Sequence, residues 1–339
     1  MTRPLITGGT GFLGRHVVRL LAPDARVLVR RESRGLARLG VEQVTGDVED
    51  AASLAHAMRG ATGVYHLAGL VSRSSADTTR MMRVHVDGTR AVLEAAAAAG
   101  VKRVVIASSS GTIAVSRDAA FVADERAPHA LEVVKGWPYY LSKIYQERLA
   151  LELGARLGLE IVLVLPSLLL GPGDARGSST EDVKKLMQQK IPLVPDGGVN
   201  FVDARDAAAA FVAAMERGRP GERYLVGGPN WTCETFFGKV ARAARVTPPR
   251  LRVPAKWARW GATLIEEVAL WRGVVPAVDR VSVEMAEHFW YVDSGKAERE
   301  LGFVARDPHE TLADTVRYVE KHFLGKERPG PSDGAPPAW

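Results

Sequence analysis

Cysteine is almost absent from this 339-residue chain, which contains only Cys233. One thiol can form neither an internal disulfide nor a cysteine-based zinc site, so a disulfide framework is excluded and a reducing compartment, the cytoplasm, is expected. The eight histidines include no pair at the spacing of metal ligands. The sequence therefore predicts no metal site.

Long apolar runs are missing as well. The most apolar stretches, residues 101–107 and 161–170, fall well short of the span that a membrane-crossing helix needs, about 20 residues. The first ten residues contain no basic segment leading into an apolar one, so no secretory signal is expected. We predict no transmembrane segment.

A strong charge of one sign is also lacking. The chain has 45 lysines and arginines against 39 acidic residues, a net charge of +6. The basic residues are scattered instead of forming a stripe, which disfavours nucleic acid as a partner. Apolar residues make up 46% of the chain, which at this length supports a sizeable core without disulfides. A small molecule is therefore the expected partner.

Short apolar runs rich in Val, Ile and Leu alternate with helical patterns. Strands are predicted at 4–7, 26–29, 63–67, 104–108 and 161–165, and helices at 14–21, 89–99 and 138–157. Continuous apolar strands joined by helices are typical of βαβ units in a parallel sheet with helices on both faces. We therefore expect an α/β protein with a doubly wound Rossmann sheet.

Three glycines follow the first predicted strand and open a helix: Gly8, Gly11 and Gly14. A tight turn needs positive φ, close approach to a pyrophosphate leaves no room for a Cβ, and a helix amino terminus offers free N–H groups. The context favours a dinucleotide site. A triphosphate-binding loop is disfavoured, because Arg15 and His16 stand where that motif requires Lys and Ser or Thr.

The second predicted strand ends at Arg30 and Arg31. An acidic residue here would hold the ribose of NAD, whereas a guanidinium suits the 2′-phosphate of NADP. NADP is therefore favoured over NAD, although Arg31 also fits a solvated strand end. Gly46-Asp47-Val48 closes the third predicted strand, and Asp47 could accept a hydrogen bond from the adenine amino group or simply cap a helix.

Tyr139 and Lys143 lie four residues apart on a predicted helix and hence on one face. An ammonium beside a phenol lowers the pKa of the phenol towards neutrality, so that it can exchange a proton with a carbonyl. Two surface residues at helical spacing are the alternative interpretation. The serines at 108–110 end a predicted strand, where open sheets bind ligands. A serine hydroxyl there could hold the substrate oxygen.

Together these motifs resemble the extended branch of the short-chain dehydrogenase/reductase superfamily, over residues 3–325. The resemblance implies that Tyr139 is the catalytic acid/base, that Lys143 binds the nicotinamide ribose and lowers the pKa of Tyr139, and that Ser110, with Ser109 as a rival, completes the set. The cofactor-binding residues expected from motifs and resemblance are Gly8, Thr10, Gly11, Phe12, Leu13, Gly14, Arg30, Asp47, Val48, Leu67, Ala68, Gly69, Ser108, Tyr139, Lys143, Pro166, Ser167 and Leu168.

Several positions depart from the family pattern. His85 stands where an Asn is frequent, and its role stays open. Leu165 precedes Pro166, where sugar-nucleotide epimerases and dehydratases usually carry an Arg, and Ile113-Ala114 replaces a Tyr. These departures favour the dihydroflavonol reductase and 3β-hydroxysteroid dehydrogenase side of the branch. The expected activity is hydride transfer between NADP or NAD and a moderately apolar ketone or secondary alcohol.

Two other functions are kept as alternatives. One is an NAD-dependent sugar-nucleotide epimerase or dehydratase, and the other is a cofactor-binding regulatory protein on the same fold. A regulatory protein would be expected to lack the Tyr and Lys, and both are present.

We predict an NAD(P)-binding domain over 1–165 with a return segment near 196–227, a smaller substrate-binding α+β domain over most of 166–325, and a disordered tail at 326–339. Trp257, Trp260 and Trp271 could line an apolar pocket, contact a membrane surface or form core. The helices at 89–99 and 138–157 resemble those through which family members form homodimers.

Overall fold

A computed structural model describes residues 3–191, 193–249 and 280–325 of the chain. The three tryptophans at 257, 260 and 271 and the predicted tail at 326–339 lie outside the described residues. The expectations stated for them stay predictions.

The described chain contains two sheets. Its strands are β1 (Leu5–Thr7), β2 (Arg26–Val29), β3 (Glu42–Thr45), β4 (Val64–His66), β5 (Arg103–Ala107), β6 (Glu160–Pro166), β7 (Leu168–Leu170), β8 (Gly198–Asp203), β9 (Arg223–Val226) and β10 (Asn230–Thr232). The larger sheet has the order β3-β2-β1-β4-β5-β6-β9, with all neighbours parallel. β2 and β4 flank β1 on opposite sides, which makes the carboxyl end of β1 the switch point where such sheets bind ligands. The predicted Rossmann sheet is confirmed.

Alternate residues of the strands enter opposite faces of this sheet. Leu5 and Val104 belong to one buried apolar cluster, whereas their chain neighbours Ile6 and Val105 belong to another. Because both faces are covered, the strands read as continuous apolar runs instead of alternating ones. This is why the sequence located five of the seven strands, whereas β3, which reads Glu-Gln-Val-Thr and is only partly buried, is not such a run.

Helices cover both faces. They are α1 (Phe12–Leu21), α2 (Arg34–Ala37), α3 (Ala51–Met58), α4 (Thr78–Met82), α5 (Gly88–Ala98), α6 (Leu131–Val134), α7 (Pro138–Leu157), α8 (Glu181–Met187), α9 (Ala204–Arg217), α10 (Cys233–Ala244), α11 (Arg280–Ala286), α12 (Gly295–Leu301) and α13 (Pro308–Phe323). α3, α5 and α7 pack side by side in one layer, and α9 contacts both α1 and α12. One wide π-type turn, Arg83–Asp87, joins α4 to α5.

The smaller sheet has the order β10-β8-β7. Phe201 of β8, Phe236 of α10 and Val316 of α13 share its core with residues of α8. β8 ends at Asp203, whose carboxylate accepts a hydrogen bond from the Arg205 N–H at 2.9 Å and so caps α9. The return segment is thus divided, because β8 joins the smaller sheet and β9 the larger one.

Several boundaries differ from the prediction by one to three residues. The third strand ends at Thr45, and Asp47 stands in the following turn, where its carboxylate accepts from the Glu49 N–H at 3.1 Å. Helix α8 ends at Met187, two residues before Gln189, whose φ of 57° is left-handed. The predicted division into two domains at residue 165 stays a prediction.

Candidate active site

A cleft of about 880 Å³ opens beside the glycine-rich turn and the first turn of α7. The predicted site residues that line it are Gly8, Thr10, Gly11, Phe12, Leu13, Gly14, Leu67, Gly69, Ser108, Ser110, Tyr139, Lys143, Pro166, Ser167 and Leu168. Residues of the smaller sheet and of α10 and α11 complete its wall. The structure therefore brings most of the predicted set to one surface.

The remaining four predicted residues do not line this cleft. Arg30 is exposed just beyond β2, and Asp47 is half-buried just beyond β3. Because β1, β2 and β3 are parallel neighbours, both follow the same sheet edge as the glycine-rich turn. Val48 is buried in the core, and the Ala68 N–H donates to the Thr7 hydroxyl at 3.3 Å.

The glycine-rich turn is shaped by close backbone contacts. Gly8 has φ +74°, and a Cβ there would lie 2.5 Å from the carbonyl of Leu67. A Cβ on Gly14 would lie 2.2 Å from the Gly8 oxygen. α1 begins after Gly11 with no side chain capping it, so its first N–H groups are left to a ligand or water. A bare backbone cradle at a helix amino terminus fits the pyrophosphate of a dinucleotide.

Tyr139 lies in the first turn of α7, which Pro138 opens. The Ser109 hydroxyl lies near enough to its phenol to oppose the rise in pKa, whereas Ser110 is buried at the start of a short 3₁₀ turn. Burial raises the pKa of Tyr139, Tyr140 adds to this, and the bond to Ser109 opposes it. The predicted lowering of this pKa by Lys143 is therefore wrong for the chain's own residues, because desolvation of the phenolate dominates.

Lys143 is buried one turn further along α7. Its Nζ donates to the Ala107 carbonyl at 2.8 Å and to the Gln146 side-chain oxygen at 2.9 Å. Burial lowers the pKa of Lys143 to about 7, and Glu147 partly offsets that effect. A Cβ on Gly69 would lie 3.7 Å from this Nζ, so the ammonium faces bare backbone in the cleft wall.

A chain of buried hydrogen bonds continues behind Lys143. Gln146 donates to the Thr89 hydroxyl at 2.8 Å, that hydroxyl pairs with His66 Nε2 at 2.9 Å, and His66 Nδ1 pairs with Thr7 at 2.8 Å. The Thr89 hydroxyl gives its own hydrogen to a main-chain carbonyl, so it must accept from His66. His66 is thus neutral with its proton on Nε2, and burial lowers its pKa to about 3.

Glu147 is a fully buried carboxylate on the same face of α7. It accepts from the Ser108 hydroxyl and pairs with His129 Nε2 at 3.0 Å. Ser108 is predicted to bind the cofactor, but its hydroxyl donates its hydrogen to Glu147. Gln146 and Glu147 are not among the predicted site residues, although their spacing of three and four residues from Lys143 places them on one helix face.

Aromatic rings form a wall beside Tyr139. Trp137 stacks on Trp290 at 5.6 Å between ring centroids, and Tyr140 lies 5.0 Å from Trp290. A Cβ on Gly111 would lie 2.3 Å from the Tyr140 ring, so only glycine leaves room for this arrangement. Trp290 is far away in sequence and carried no signal that could have linked it to the site.

Neither a metal site nor a membrane-spanning helix is found among the described residues. That part of the chain contains no group of three or more His, Cys, Asp or Glu side chains arranged to hold a metal ion. None of the helices within residues 3–191, 193–249 and 280–325 is long and apolar enough to cross a bilayer.

Comparison with known proteins identifies the class. The NAD dependent epimerase/dehydratase family matches residues 4–227. The chain is 33% identical over 327 residues to a Synechocystis sp. protein named "Putative dihydroflavonol 4-reductase", covering 94% of each. It is 30% identical to Sterol demethylase protein B of Methylococcus capsulatus, covering 94% of this chain and 99% of that protein. The chain belongs to the NAD dependent epimerase/dehydratase family, and the resemblance to extended short-chain dehydrogenases is confirmed.

Solved structures agree with this assignment. The crystal structure of gox2253 superposes with a TM-score of 0.82 at 31% identity, covering 95% of this chain and 99% of that one. A dTDP-glucose 4,6-dehydratase, DesIV of Streptomyces venezuelae, was solved with NAD bound and superposes with a TM-score of 0.73 at 25% identity, covering 96% of this chain and 98% of that one. The family thus includes both reductases and sugar-nucleotide enzymes.

Proposed function

We propose that this protein is an NAD(P)-dependent carbonyl reductase or alcohol dehydrogenase acting on a moderately apolar small molecule. The observation that carries the proposal is the convergence of Tyr139, Ser109 and Lys143 on a cleft that also contains the glycine-rich cradle. A bound nicotinamide dinucleotide supplies or accepts the hydride. A cytoplasmic location and a homodimer through α5 and α7 belong to the same proposal.

Each residue of the cleft has a separate task. Tyr139 donates a proton to the substrate oxygen during reduction, and its raised pKa keeps it protonated at neutral pH, which suits an acid. Ser109, whose hydroxyl lies by that phenol, holds the same substrate oxygen, with Ser110 as the alternative. Lys143 presents its ammonium to the ribose hydroxyls across the bare backbone of Gly69.

The substrate class is inferred from the wall of the cleft. The rings of Tyr140 and Trp290, backed by the buried Trp137, offer an apolar surface next to the proton donor, which favours a cyclic or aromatic ketone over a hydrated sugar. The likeness to a dehydratase supports an epimerase or dehydratase as the second candidate. Such an enzyme retains NAD through its cycle and needs no added cofactor, whereas a reductase consumes NADPH or NADH.

The decisive experiment combines a substrate panel with four variants. Purified protein is assayed with NADPH and NADH against ketones, secondary alcohols and UDP-sugars. Tyr139→Phe should abolish turnover with dinucleotide affinity nearly intact, and Lys143→Ala should reduce both. Ser109→Ala should lower kcat by about 10² to 10³, as for loss of one oxyanion donor, and Ser110→Ala should lower it less. Near-full activity of Tyr139→Phe would reject the assignment.

NADP preference is proposed from Arg30. Its exposed guanidinium stands beyond β2, at the edge shared with the glycine-rich turn, where a 2′-phosphate can pair with it. Arg30→Asp should reverse the order of NADPH and NADH affinities in a fluorescence titration. Arg31→Asp, one residue further, is the matched control for a change of charge alone. Equal affinities for both dinucleotides in the wild type would refute the preference.

A further inference from the structure

His85 occupies the wide turn between α4 and α5, at the position whose role the sequence left open. It is fully buried and hydrogen-bonded at both ring nitrogens. Nε2 accepts from the Leu70 N–H at 3.0 Å, and Nδ1 pairs with the Ser142 hydroxyl at 2.8 Å. That hydroxyl donates in turn to the main-chain carbonyl of Tyr139 at 2.7 Å.

These partners fix the chemical state of the ring. A backbone N–H can only donate, so Nε2 of His85 must be the acceptor. The hydroxyl of Ser142 gives its hydrogen to the Tyr139 carbonyl, so it must accept from Nδ1. His85 is therefore a neutral imidazole with its proton on Nδ1, the opposite tautomer to His66. Burial, together with the charge of Lys143, holds the pKa of His85 well below its usual value.

The two bonds reach two different parts of the site. Leu70 follows Gly69, where a Cβ would lie 3.1 Å from His85 Nε2, so the ring supports the bare backbone that faces Lys143. On its other side the ring meets Tyr139 edge-on, with 5.8 Å between ring centroids. A single side chain thus spans from the loop after β4 to the catalytic turn of α7.

We propose that His85 is a positioning residue with a separate task for each nitrogen. Nε2 holds the Gly69–Leu70 backbone in the shape that receives the dinucleotide. Nδ1, acting through Ser142, holds the backbone of Tyr139 and hence the direction of its phenol. The inference rests on the proposed function, because it assumes that Tyr139 transfers the proton.

Two substitutions separate these tasks. The side-chain nitrogen of Asn can take the place of Nδ1, and the side-chain oxygen of Gln can take the place of Nε2. His85→Asn should keep kcat within about threefold of wild type but weaken dinucleotide binding about tenfold. His85→Gln should keep dinucleotide affinity but lower kcat by roughly 10- to 100-fold, the size expected for a misplaced reacting group.

Ser142→Ala removes the link to Tyr139 and leaves the bond of His85 Nε2 to the Leu70 N–H in place. It should reproduce the loss of kcat and leave dinucleotide affinity unchanged, and it replaces His85→Gln if that variant does not fold. The double variant His85→Gln/Ser142→Ala should lose no more kcat than the more damaged single variant, because both substitutions break the same link from His85 to Tyr139. Affinity is measured by titration of the protein with NADPH, without turnover, and thermal unfolding is recorded for every variant.

The outcomes distinguish this proposal from the proposed function. Parallel losses of kcat and affinity in His85→Asn and His85→Gln, or no loss in either, would show a merely structural ring and overturn the inference. If Tyr139→Phe is active or the wild type reduces nothing, the proposed function has failed. In that case the NADPH titration alone tests the role of His85 Nε2. Equal NADPH affinities of His85→Asn and His85→Gln would overturn that role.

Discussion

The glycine-rich turn and the first turns of α7 line one cleft but are built in opposite ways. The first is shaped by main-chain atoms, with Gly8 and Gly14 closing on backbone at distances that admit no side chain. The second is shaped by buried polar side chains, in which Lys143, Glu147 and Ser142 each have specific partners. The glycine-rich turn depends on the absence of Cβ atoms, whereas the turns of α7 depend on hydrogen bonds between side chains.

This difference predicts how each half fails. A backbone cradle fails when a Cβ is added at Gly8 or Gly14, because neighbouring main chain cannot retreat as a flexible side chain can. A side-chain network fails by degrees, since one lost hydrogen bond leaves the other members in place. Large, abrupt effects are expected at the turn and smaller, graded ones on α7.

The largest effect is expected at Gly14. Its Cβ would overlap the Gly8 oxygen at 2.2 Å, so Gly14→Ala must displace the turn. We expect dinucleotide affinity to fall by more than about 100-fold and the free energy of unfolding by about 3 kcal/mol, typical of a backbone clash in a core. NADPH titration and urea unfolding measure the two.

Gly238→Ala is the matched control for that change. Nothing lies within 4 Å of its added Cβ, in the middle of α10. Alanine there should raise stability by about 0.5–1 kcal/mol, since glycine is the poorer helix former. A destabilised Gly238→Ala, or a harmless Gly14→Ala, would contradict the comparison.

An intermediate effect is expected from acid. Burial lowers the pKa of His66 to about 3, so the folded state stays neutral where an unfolded histidine takes up a proton near pH 6.5. The unfolded state then binds more protons, and stability falls as the pH drops from about 6.5 towards 3. Each such histidine contributes a slope of about 1.4 kcal/mol per pH unit.

Variants test that slope. His66→Gln should remove one proton from the pH dependence of unfolding, measured by urea denaturation between pH 7 and pH 5. His16 on α1, whose pKa burial lowers to about 4, should give a similar loss of slope in His16→Gln. A slope unchanged in both variants would mean that neither histidine is buried neutral.

The smallest effect is expected at Ser108. Its hydroxyl donates to the buried Glu147, which keeps His129 as a second partner. Ser108→Ala should therefore cost about 1–2 kcal/mol of unfolding free energy, the range for one hydrogen bond to a buried charged group. Ser75→Ala, at an exposed site, should stay within about 0.5 kcal/mol. A cost at Ser108 as large as at Gly14 would remove the contrast.

The same contrast explains how much the sequence could predict. The glycine spacing, the strand runs and the Tyr139–Lys143 pair are local patterns, and the structure places them as expected. The resemblance favours Ser110 with Ser109 as its rival, and in the structure the Ser109 hydroxyl lies by the phenol while Ser110 is buried at the start of the turn at 110–112. The link from His85 to Ser142 joins residues 57 positions apart, and no local pattern encodes it.

The pKa of Tyr139 shows a different limit. Helical spacing correctly places Lys143 on the same face of α7, but spacing carries no information about burial. Desolvation raises the pKa of the phenol and lowers that of the ammonium, and both effects depend on what packs around the helix. The sign of such shifts therefore needs the folded structure.

The route of the chain between the two sheets has a consequence for biosynthesis. β6 pairs with β9, and the chain passes through β7, β8 and α9 before β9 is made. A nascent chain released as far as Pro166 thus holds six of the seven strands with β6 as an open edge. Unpaired edges of apolar strands invite pairing with other chains. During translation, protection of that edge has to wait until Val226 leaves the ribosome.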